Sequence, residues 1–591
     1  MTDATGSKLP LWHAAALLVL CMATMLPGAV ATPVVDRDEA RFAQASRQMF
    51  EAVALPEARR DPALHAGGLL VPQVGESPRI NKPPLIYWLQ TSAAAVTTGG
   101  DPGADAIWMY RLPSVLAATL GVLATWWLAG RLFAHRPDAA VLALLAGGML
   151  AVCPIYAWDA RQARADQVMV ACTTIAMAAL WCAGRRHAQR STLRSLMLPH
   201  AFLWAAVALG VLAKGPITPM VVGCTLLAYR MTARRALVPR RWLGAGLLLV
   251  LVLLAPWVIA VGGAIGWDRL GEVLHAELIE RSASAKEGHA GPPGYHLVLL
   301  AALFWPGSLL TAWAIGVAVR RMLRARRSQT VASPLPEAFL LAWLAPAWIV
   351  FELVSTKLPH YTMPLYPAIA IITARALVAT PRLLAVRRSS RSHPPGTLGW
   401  IIWSVIGLGW LVAVPVVLGW PGWSDAGAWP NPDRRMALTG LFVAVALVAW
   451  FGLMRVVRTH RPMRATLLAI VALAASHALV PTVLLARHHD LWVTDRLVRA
   501  LEADGWSPGE ALAAIGYHED SLMFRSRGTL LRWASDEPLA TVPGDVRYLV
   551  APADRPMPNG WRTIETVTGL NYSNGDRVRL RVLAREPGAQ P

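Results

Sequence analysis

The chain has 591 residues, of which 55% are apolar and only 16% are charged. Soluble domains contain roughly 45–50% apolar and about 25% charged residues, so this composition excludes a string of ordinary soluble domains and indicates an integral membrane protein. The net charge is +20. The cationic residues gather in short linkers between apolar segments, which indicates membrane orientation and lipid attraction and not a nucleic-acid partner.

Thirteen apolar segments approach the roughly 20 residues that a helix needs to cross a bilayer. The first, Leu11–Ala31, has no charged side chain and no clear cleavage site after it, so we interpret it as a retained anchor. The short pair 200–213 and 216–229 is interpreted as a hairpin broken at Lys214-Gly215-Pro216. The other predicted spans are 106–130, 139–158, 167–184, 242–262, 296–319, 336–354, 361–379, 398–419, 437–454 and 465–486.

Arginine placement orients these spans. Six linkers without Asp or Glu hold 24 of the 56 cationic residues, at 131–136, 185–194, 230–241, 320–327, 382–391 and 455–464. Short, positively charged loops stay in the cytoplasm. Counting thirteen spans from a cytoplasmic N-terminus places all six there. We therefore predict a multi-pass protein of a bacterial inner membrane, with its C-terminus in the periplasm.

Three outward segments are too long to be turns, namely 32–105, 263–295 and the tail 487–591. The tail contains three strand-like runs, predicted at 511–517, 546–552 and 577–583, and one short helix, predicted at 520–527. The predicted fold is an all-α polytopic domain of residues 1–486, with about 13 transmembrane helices, followed by a small α/β domain.

Polar residues that stand at the outer edges of apolar helices are the candidates for chemistry. Asp38 precedes an amphipathic helical pattern, which we interpret as a helix lying flat at the outer surface of the membrane. Lys82 precedes Pro83-Pro84, and Asp166 leads directly into an apolar span. Each has a simpler interpretation, as a helix cap for the acids or as a snorkelling side chain for the lysine. An acid at the edge of a membrane helix is nevertheless costly and marks a candidate functional site.

Further charged residues fall on the same outward side. Lys214 interrupts the predicted hairpin, and Lys357 and His360 lie between two spans, where they also fit a snorkelling role. The chain has no Walker A sequence and no HExxH sequence. Because the periplasm contains no nucleotides, energy for chemistry there must come from a lipid carrier or a gradient.

Several stretches together resemble the lipid-to-lipid glycosyltransferases of the GT-C fold. The aminoarabinose transferases that modify lipid A are the nearest likeness, and the protein O-mannosyltransferases are more distant. The stretches that carry the resemblance are Asp38-Glu39-Ala40-Arg41-Phe42-Ala43, Asn81-Lys82-Pro83-Pro84-Leu85, Arg164-Ala165-Asp166, Lys214-Gly215, Glu277 with Arg281 and His289, and Lys357-Leu358-Pro359 with Tyr361.

The resemblance implies roles for fourteen residues. Catalytic roles fall to Asp38, Asp166 and Glu39; contacts with the donor phosphate fall to Lys82, Arg281, Lys214, Lys357 and Arg269; other substrate contacts fall to Arg41, Tyr87, Glu277, His289, His360 and Tyr361. Asp38 would position or deprotonate the acceptor, or stabilise positive charge on the sugar. Asp166 would support Asp38 or bind a divalent metal ion, although Asn81 replaces the acidic residue that the family associates with the metal.

The resemblance also implies the partners: a polyprenyl (undecaprenyl) phosphate carrying a sugar, such as 4-amino-4-deoxy-L-arabinose, and lipid A or another envelope acceptor, within membrane lipid. Three alternatives remain open. They are a transferase for proteins or another envelope polymer, a transporter or flippase for lipid-linked sugars, and a non-catalytic assembly protein that binds a partner through its tail.

Overall fold

The computed structural model describes residues 9–80, 82–234, 236–276, 291–328, 335–386, 396–419, 432–457, 461–534, 537, 542–557 and 559–586. The candidates Glu277, Arg281 and His289 lie outside these residues, as does Asn81.

The described chain is mostly helical. In chain order the helices are α1 Leu11–Ala31, α2 Asp38–Ala54, α3 Pro62–His65, α4 Leu85–Thr97, α5 Ile107–Leu132, α6 Ala139–Val152, α7 Pro154–Ala160, α8 Asp166–Ala188, α9 Leu193–Lys214, α10 Ile217–Ala233, α11 Arg240–Ile265, α12 Trp267–His275, α13 Tyr295–Leu303, α14 Ser308–Ser328, α15 Pro336–Leu353, α16 Tyr366–Val386, α17 Thr397–Leu408, α18 Val414–Gly419, α19 Pro432–Val457, α20 Pro462–Leu479, α21 Val493–Ala503 and α22 Asp520–Arg525.

Each of the thirteen predicted spans coincides with helix. Among the described residues, eight helices are long and apolar enough to cross a membrane, and the bent pair α6–α7 raises the number to nine. Three shorter apolar helices, at Ile217–Ala233, Met363–Ala379 and Thr439–Arg455, account for three more predicted spans. The last, 296–319, is divided between α13 and α14. The predicted polytopic helical fold is confirmed.

The predicted hairpin differs from the structure in one respect. The break occurs where expected, because α9 ends at Lys214 and Gly215 has φ +65°, a conformation that glycine adopts without strain. However, α9 begins at Leu193 and has 22 residues, so it is a full-length helix. The prediction of a short first arm was wrong because α9 continues through Pro199 toward the Arg-rich linker.

The tail forms an α/β unit, as predicted. Its five-stranded sheet has the order β4-β3-β5-β7-β6, in which β3 is parallel to both neighbours and the other pairings are antiparallel. The strands are β3 Leu512–Ile515, β4 Leu530–Trp533, β5 Tyr548–Pro552, β6 Trp561–Asn571 and β7 Asp576–Arg585, and a small hairpin in segment 32–105 supplies β1 Gln73–Val74 and β2 Ser77–Pro78. The sequence patterns missed β4 and β6.

The tail covers α2. Arg527 donates to the carboxylates of Glu51 and Asp105, and its Nη1–Asp105 Oδ1 distance is 3.0 Å. Arg41 forms an ion pair of 2.6 Å with Asp520 at the start of α22. We expected α2 to lie at the outer surface, but most of its side chains are buried. This helix is packed between the α/β unit and α4, which fixes its first turn.

Candidate active site

The first turn of α2 presents Asp38 to an open cleft. The helix begins at Asp38 itself, and the residue before it, Arg37, has φ +62°, a strained conformation for a non-glycine residue. The N-cap position of α2 is therefore occupied by Arg37 and not by Asp38, which differs from the cap interpretation. The Asp38 side chain is 47% exposed, so a ligand in the cleft can reach its carboxylate.

Cations surround this carboxylate. Arg164 Nη2 lies 3.4 Å from Asp38 Oδ2, and Arg79 Nη2 lies 3.8 Å from Asp38 Oδ1. Desolvation opposes ionisation of Asp38, but the positive charges of Arg164, Arg79, Lys214 and Lys82 outweigh it and lower the pKa to about 2. Asp38 is consequently a carboxylate throughout the physiological pH range.

Arg164 joins Asp38 to a second group of acids. Its guanidinium lies 3.8 Å from Asp166, 3.7 Å from Asp159 and 3.1 Å from His360 Nε2. We call Asp38, Asp159, Asp166 and Arg164 the acid cluster. Asp159, Arg164 and Asp166 come from one continuous stretch, which contains the end of α7, the following turn and the start of α8, whereas Asp38 comes from α2. Two distant segments of the chain therefore meet at this point.

Asp166 occupies the first position of α8 and is buried. Lys214, at the end of α9, donates a short hydrogen bond to its carboxylate. His360 Nε2 lies 3.7 Å from the same carboxylate, and burial together with the charge of Arg164 holds the pKa of His360 well below its usual value. His360 is therefore neutral in the physiological pH range and able to accept a hydrogen bond from Arg164.

A large apolar cavity opens beside the acid cluster. Its volume is about 640 Å³, and Lys82, Lys214 and Tyr361 are polar residues near its charged end. The Lys214 Nζ lies 5.9 Å from the centre of the Tyr361 ring. Apolar side chains from five helices form the remaining walls, among them Leu212, Met220, Trp257, Leu270, Leu274 and Phe351. The cavity thus combines two lysines with a wall suited to hydrocarbon.

The structure brings six predicted residues to this place, namely Asp38, Asp166, Lys214, Lys82, His360 and Tyr361. Their sequence separation is large, yet their charges interact directly. Each retains its predicted role as a candidate, which the proposed experiments below address.

Glu39 is part of the structural framework. Arg111 binds both of its carboxylate oxygens at 2.7 Å, and the amides of Val35 and Ala163 donate to the same oxygens. The side chain is fully buried. Since all of its accepting capacity is used, we no longer consider Glu39 a candidate catalytic group.

Two predicted substrate contacts also have other partners. Arg41 is paired with Asp520 of the tail at 2.6 Å. Tyr87 is buried, and its hydroxyl accepts a hydrogen bond of 3.1 Å from Arg79. Tyr87 therefore acts through Arg79, which it holds near Asp38, and is better described as a positioning residue.

Two predicted phosphate ligands are displaced from the cavity walls. Lys357 is buried and donates a hydrogen bond of 3.0 Å to the carbonyl of Gly291. Arg269 is exposed, whereas Leu270, Val273 and Leu274 of the same helix face the cavity. The described contacts thus give a backbone partner to Lys357 and place Arg269 on the outer side of α12.

The sequence interpretation assigned no role to Arg79, Arg164 or Asp159. Arg164 belongs to a recognised stretch and Arg79 stands two residues before another, but an arginine at a membrane edge is usually a solvated or snorkelling residue. Asp159 is fully buried, and neither carboxylate oxygen has a hydrogen-bond partner among the described residues. Asp159 directly follows the apolar span predicted at 139–158. An acid at that position was the signal that would have identified it.

The described residues at this site do not fit a divalent metal ion. Within the described ranges, no three His, Cys, Asp or Glu side chains converge as metal ligands. Asp166, the predicted ligand, is already neutralised by Lys214 and Arg164. Additional cations beside them would be repelled, so no step proposed below uses a metal.

Known protein sequences resemble the part of the chain that contains this site. The family model described as dolichyl-phosphate-mannose-protein mannosyltransferase matches residues 81–259. A protein of Enterobacter sp. (strain 638) named undecaprenyl phosphate-alpha-4-amino-4-deoxy-L-arabinose arabinosyl transferase is 25% identical over 360 residues, which cover 59% of this chain and 57% of that protein. A protein of the same name from Pseudomonas aeruginosa (strain LESB58) is 29% identical over 351 residues, covering 58% and 56% respectively. The matches span little more than half the length of these relatives.

Solved structures extend the likeness to the whole chain. The crystal structure of ArnT from Cupriavidus metallidurans bound to undecaprenyl phosphate matches with a TM-score of 0.71 and 18% identity over all of both chains. The apo oligosaccharyltransferase of Archaeoglobus fulgidus matches with a TM-score of 0.52 and 14% identity, over 93% of this chain and 70% of that one. The resemblance predicted from the sequence is confirmed: this is a multi-pass membrane protein with the GT-C fold, similar to the ArnT and protein mannosyltransferase families.

Proposed function

We propose that the chain is a membrane glycosyltransferase that moves a sugar from a polyprenyl phosphate to an envelope acceptor. The observation that carries this proposal is the apolar cavity, which has Lys82 and Lys214 at one end and the acid cluster beside them. A polyprenyl phosphate sugar has the matching order of parts: a long hydrocarbon, one anionic phosphate and a polar sugar. The neighbouring ArnT structure with bound undecaprenyl phosphate supports the same class of donor.

Lys82 and Lys214 would hold the phosphate that leaves. In the transfer step, the bond between the anomeric carbon and the phosphate oxygen breaks, and its electron pair remains on the phosphate. A bond forms between the anomeric carbon and an acceptor oxygen, through an oxocarbenium-like state. Positive groups beside the developing phosphate anion lower the barrier because they interact more strongly with the product charge than with the ester.

Asp38 would orient the acceptor and stabilise positive charge on the sugar ring. A general base works best when its pKa lies near the operating pH, and the pKa of Asp38 is about 2. This low value favours electrostatic stabilisation over proton abstraction. An acceptor that is already ionised, such as a phosphate group, needs no base and fits this arrangement. Asp166 would act as a positioning residue because it holds Lys214 by direct hydrogen bond.

The finer identity of the substrates is part of the same proposal. We take 4-amino-4-deoxy-L-arabinose as the sugar because both relatives described above carry that sugar in their names. We take lipid A as the acceptor because the sequence resembles the aminoarabinose transferases that modify it. We place the reaction at the periplasmic face of the bacterial inner membrane, with the N-terminus in the cytoplasm. The six Arg-rich linkers support this orientation.

The direct experiment is transfer by the purified full-length protein in vesicles that contain the aminoarabinose lipid donor and lipid A. Asp38→Asn should reduce transfer by roughly 100-fold or more, a loss typical of a group that acts in the transition state. Glu57→Gln, which removes an exposed acid of the same outward segment, should remain active. Full activity of Asp38→Asn would exclude Asp38 from the mechanism.

A second candidate is transfer to protein, which the match of residues 81–259 to the mannosyltransferase family favours. It uses the same donor chemistry but a hydroxyl acceptor. Mass analysis of lipid A and of periplasmic proteins, from cells with and without the gene, distinguishes the two. A mass shift of lipid A supports the first proposal, and a hexose on protein supports the second.

A further inference from the structure

A second charged crevice lies at the opposite end of the helix bundle from the acid cluster. Its walls come from α14, α15 and α16 together with Phe133, and the crevice is narrow, with a volume of about 30 Å³. The direction of the helices fixes its location: α15 begins near the crevice at Glu337 and ends at residues that line the donor cavity. The donor site and this crevice are therefore separate.

Arg375 is the charged group that enters this crevice. Its side chain comes from the middle of α16 and is 9% exposed. The Nε is buried and has no hydrogen-bond partner within the ranges that the structure describes. The guanidinium carbon lies 5.7 Å from the centre of the Phe133 ring, a cation–π contact that compensates only part of a buried charge.

The neighbouring charges already form pairs. Arg321 donates to Glu337 at 3.0 Å, and Arg136 donates to both carboxylate oxygens of Asp138. These four residues neutralise one another, so the crevice retains the charge of Arg375. An uncompensated charge in an apolar surrounding is unfavourable unless an anion accompanies it.

The surroundings identify the kind of anion. Trp313, Leu340 and Ile372 form apolar walls around the guanidinium. The Arg-rich end of α14 begins at Arg320 and Arg321, beside the crevice. Planar guanidinium groups bind phosphate oxygens through paired hydrogen bonds. The arginine lies among apolar side chains at one end of the membrane-spanning bundle. A phosphate group that carries acyl chains therefore suits this place better than a free phosphate ion, because its acyl chains can contact the apolar side chains.

We propose that this crevice binds the phosphate of an anionic phospholipid from the membrane leaflet opposite the donor site. Arg375 would bind the phosphate at the mouth of the crevice, Arg321 would contribute when it turns from Glu337, and the apolar side chains around the mouth would lie against the beginning of an acyl chain. This site is independent of the proposed glycosyl transfer. Its ligand differs from the donor in two respects: it binds at the other end of the bundle, and it needs no polyprenyl chain.

The test measures thermal unfolding of the full-length protein in a neutral detergent. Dioleoyl phosphatidylglycerol, dioleoyl phosphatidylcholine and inorganic phosphate are added separately to the wild type and to Arg375→Gln. Phosphatidylglycerol should stabilise the wild type, and its apparent affinity should fall roughly tenfold or more in Arg375→Gln, the effect of losing charge-assisted hydrogen bonds. The control Arg324→Gln removes an exposed arginine of the neighbouring helix α14, and this variant should bind as the wild type does.

A gain-of-binding variant makes the test independent of the folding of Arg375→Gln. Glu337→Gln releases Arg321 from its ion pair and should strengthen binding of phosphatidylglycerol. The proposal is overturned if phosphatidylcholine stabilises as strongly, if inorganic phosphate alone gives the same shift, or if Arg375→Gln or Glu337→Gln leaves the affinity for phosphatidylglycerol unchanged.

Discussion

Asp38 and Glu39 are consecutive acids with different surroundings. Successive residues of a helix point about 100° apart, so Asp38 faces the cleft while Glu39 is enclosed by Arg111 and backbone amides. The sequence predicts that this pair lies at the start of a helix, but it contains no indication of which acid faces the ligand. That distinction depends on Arg111, which is 72 residues away along the chain.

The electrostatics of Asp38 predict a pH dependence. Because the folded-state pKa is about 2, the carboxylate remains charged at every pH above roughly 3. The acid limb of the wild-type pH profile of kcat/KM should therefore not arise from protonation of Asp38. Arg164→Gln removes the largest favourable charge, so the desolvated carboxylate should titrate at higher pH. We expect the acid limb of kcat/KM for transfer to move to higher pH in this variant, measured between pH 4.5 and 8.5. Identical profiles would contradict the assignment of Arg164 as the main stabiliser of the Asp38 anion.

Helix α2 shows how packing between elements positions the site. Its pattern predicts a helix correctly, but the amphipathic character suggested a membrane surface, whereas the tail occupies that side. The charged residues of α2 serve as contacts with the α/β unit. Such contacts connect residues more than 400 positions apart and cannot be recognised from local periodicity.

The Arg527 contacts should determine how firmly the tail holds α2. Arg527→Gln removes ion pairs with Glu51 and Asp105, and we expect a loss of about 1.5–3 kcal/mol of docking stability, the scale for hydrogen bonds to charged groups. Hydrogen exchange of residues 38–54 should increase in this variant. Arg525→Gln, whose partners Asp495 and Glu502 lie within the tail, should leave that exchange unchanged. Equal protection in both variants would show that the tail does not stabilise α2.

The contact at Asp36 adds a pH response to the same interface. Asp36 accepts a hydrogen bond from the Ser521 amide, and desolvation together with the charge of Glu519 raises the pKa of Asp36 to about 7. Since the folded state holds the proton more tightly than the unfolded chain, docking is strongest below about pH 4 and weakens as the pH rises toward 7. Limited proteolysis of the tail between pH 4.5 and 8 should show this trend, and Asp36→Asn should remove it. A trend that persists in Asp36→Asn would refute the assignment.

At the scale of the whole molecule, hydropathy predicts the order of the helices well. Long apolar segments have few stable alternatives in a membrane, because every backbone polar group must be paired internally. The breaks in α6–α7 and α13–α14 were not predicted, since each interruption is short and apolar on both sides. The resemblance led us to expect that Asp38 and Asp166 lie close together. The arginines that neutralise these acids could be identified only from the three-dimensional arrangement.

The central claim is that Lys82 and Lys214 hold the phosphate of a polyprenyl donor beside Asp38. Binding of undecaprenyl phosphate to the purified protein, followed by native mass spectrometry across a lipid titration, tests it most directly. We predict that Lys82→Ala weakens binding roughly tenfold, the loss of one charge-assisted contact, while Asp38→Asn binds at least as tightly as the wild type. Wild-type affinity in both Lys82→Ala and Lys214→Ala would contradict the account.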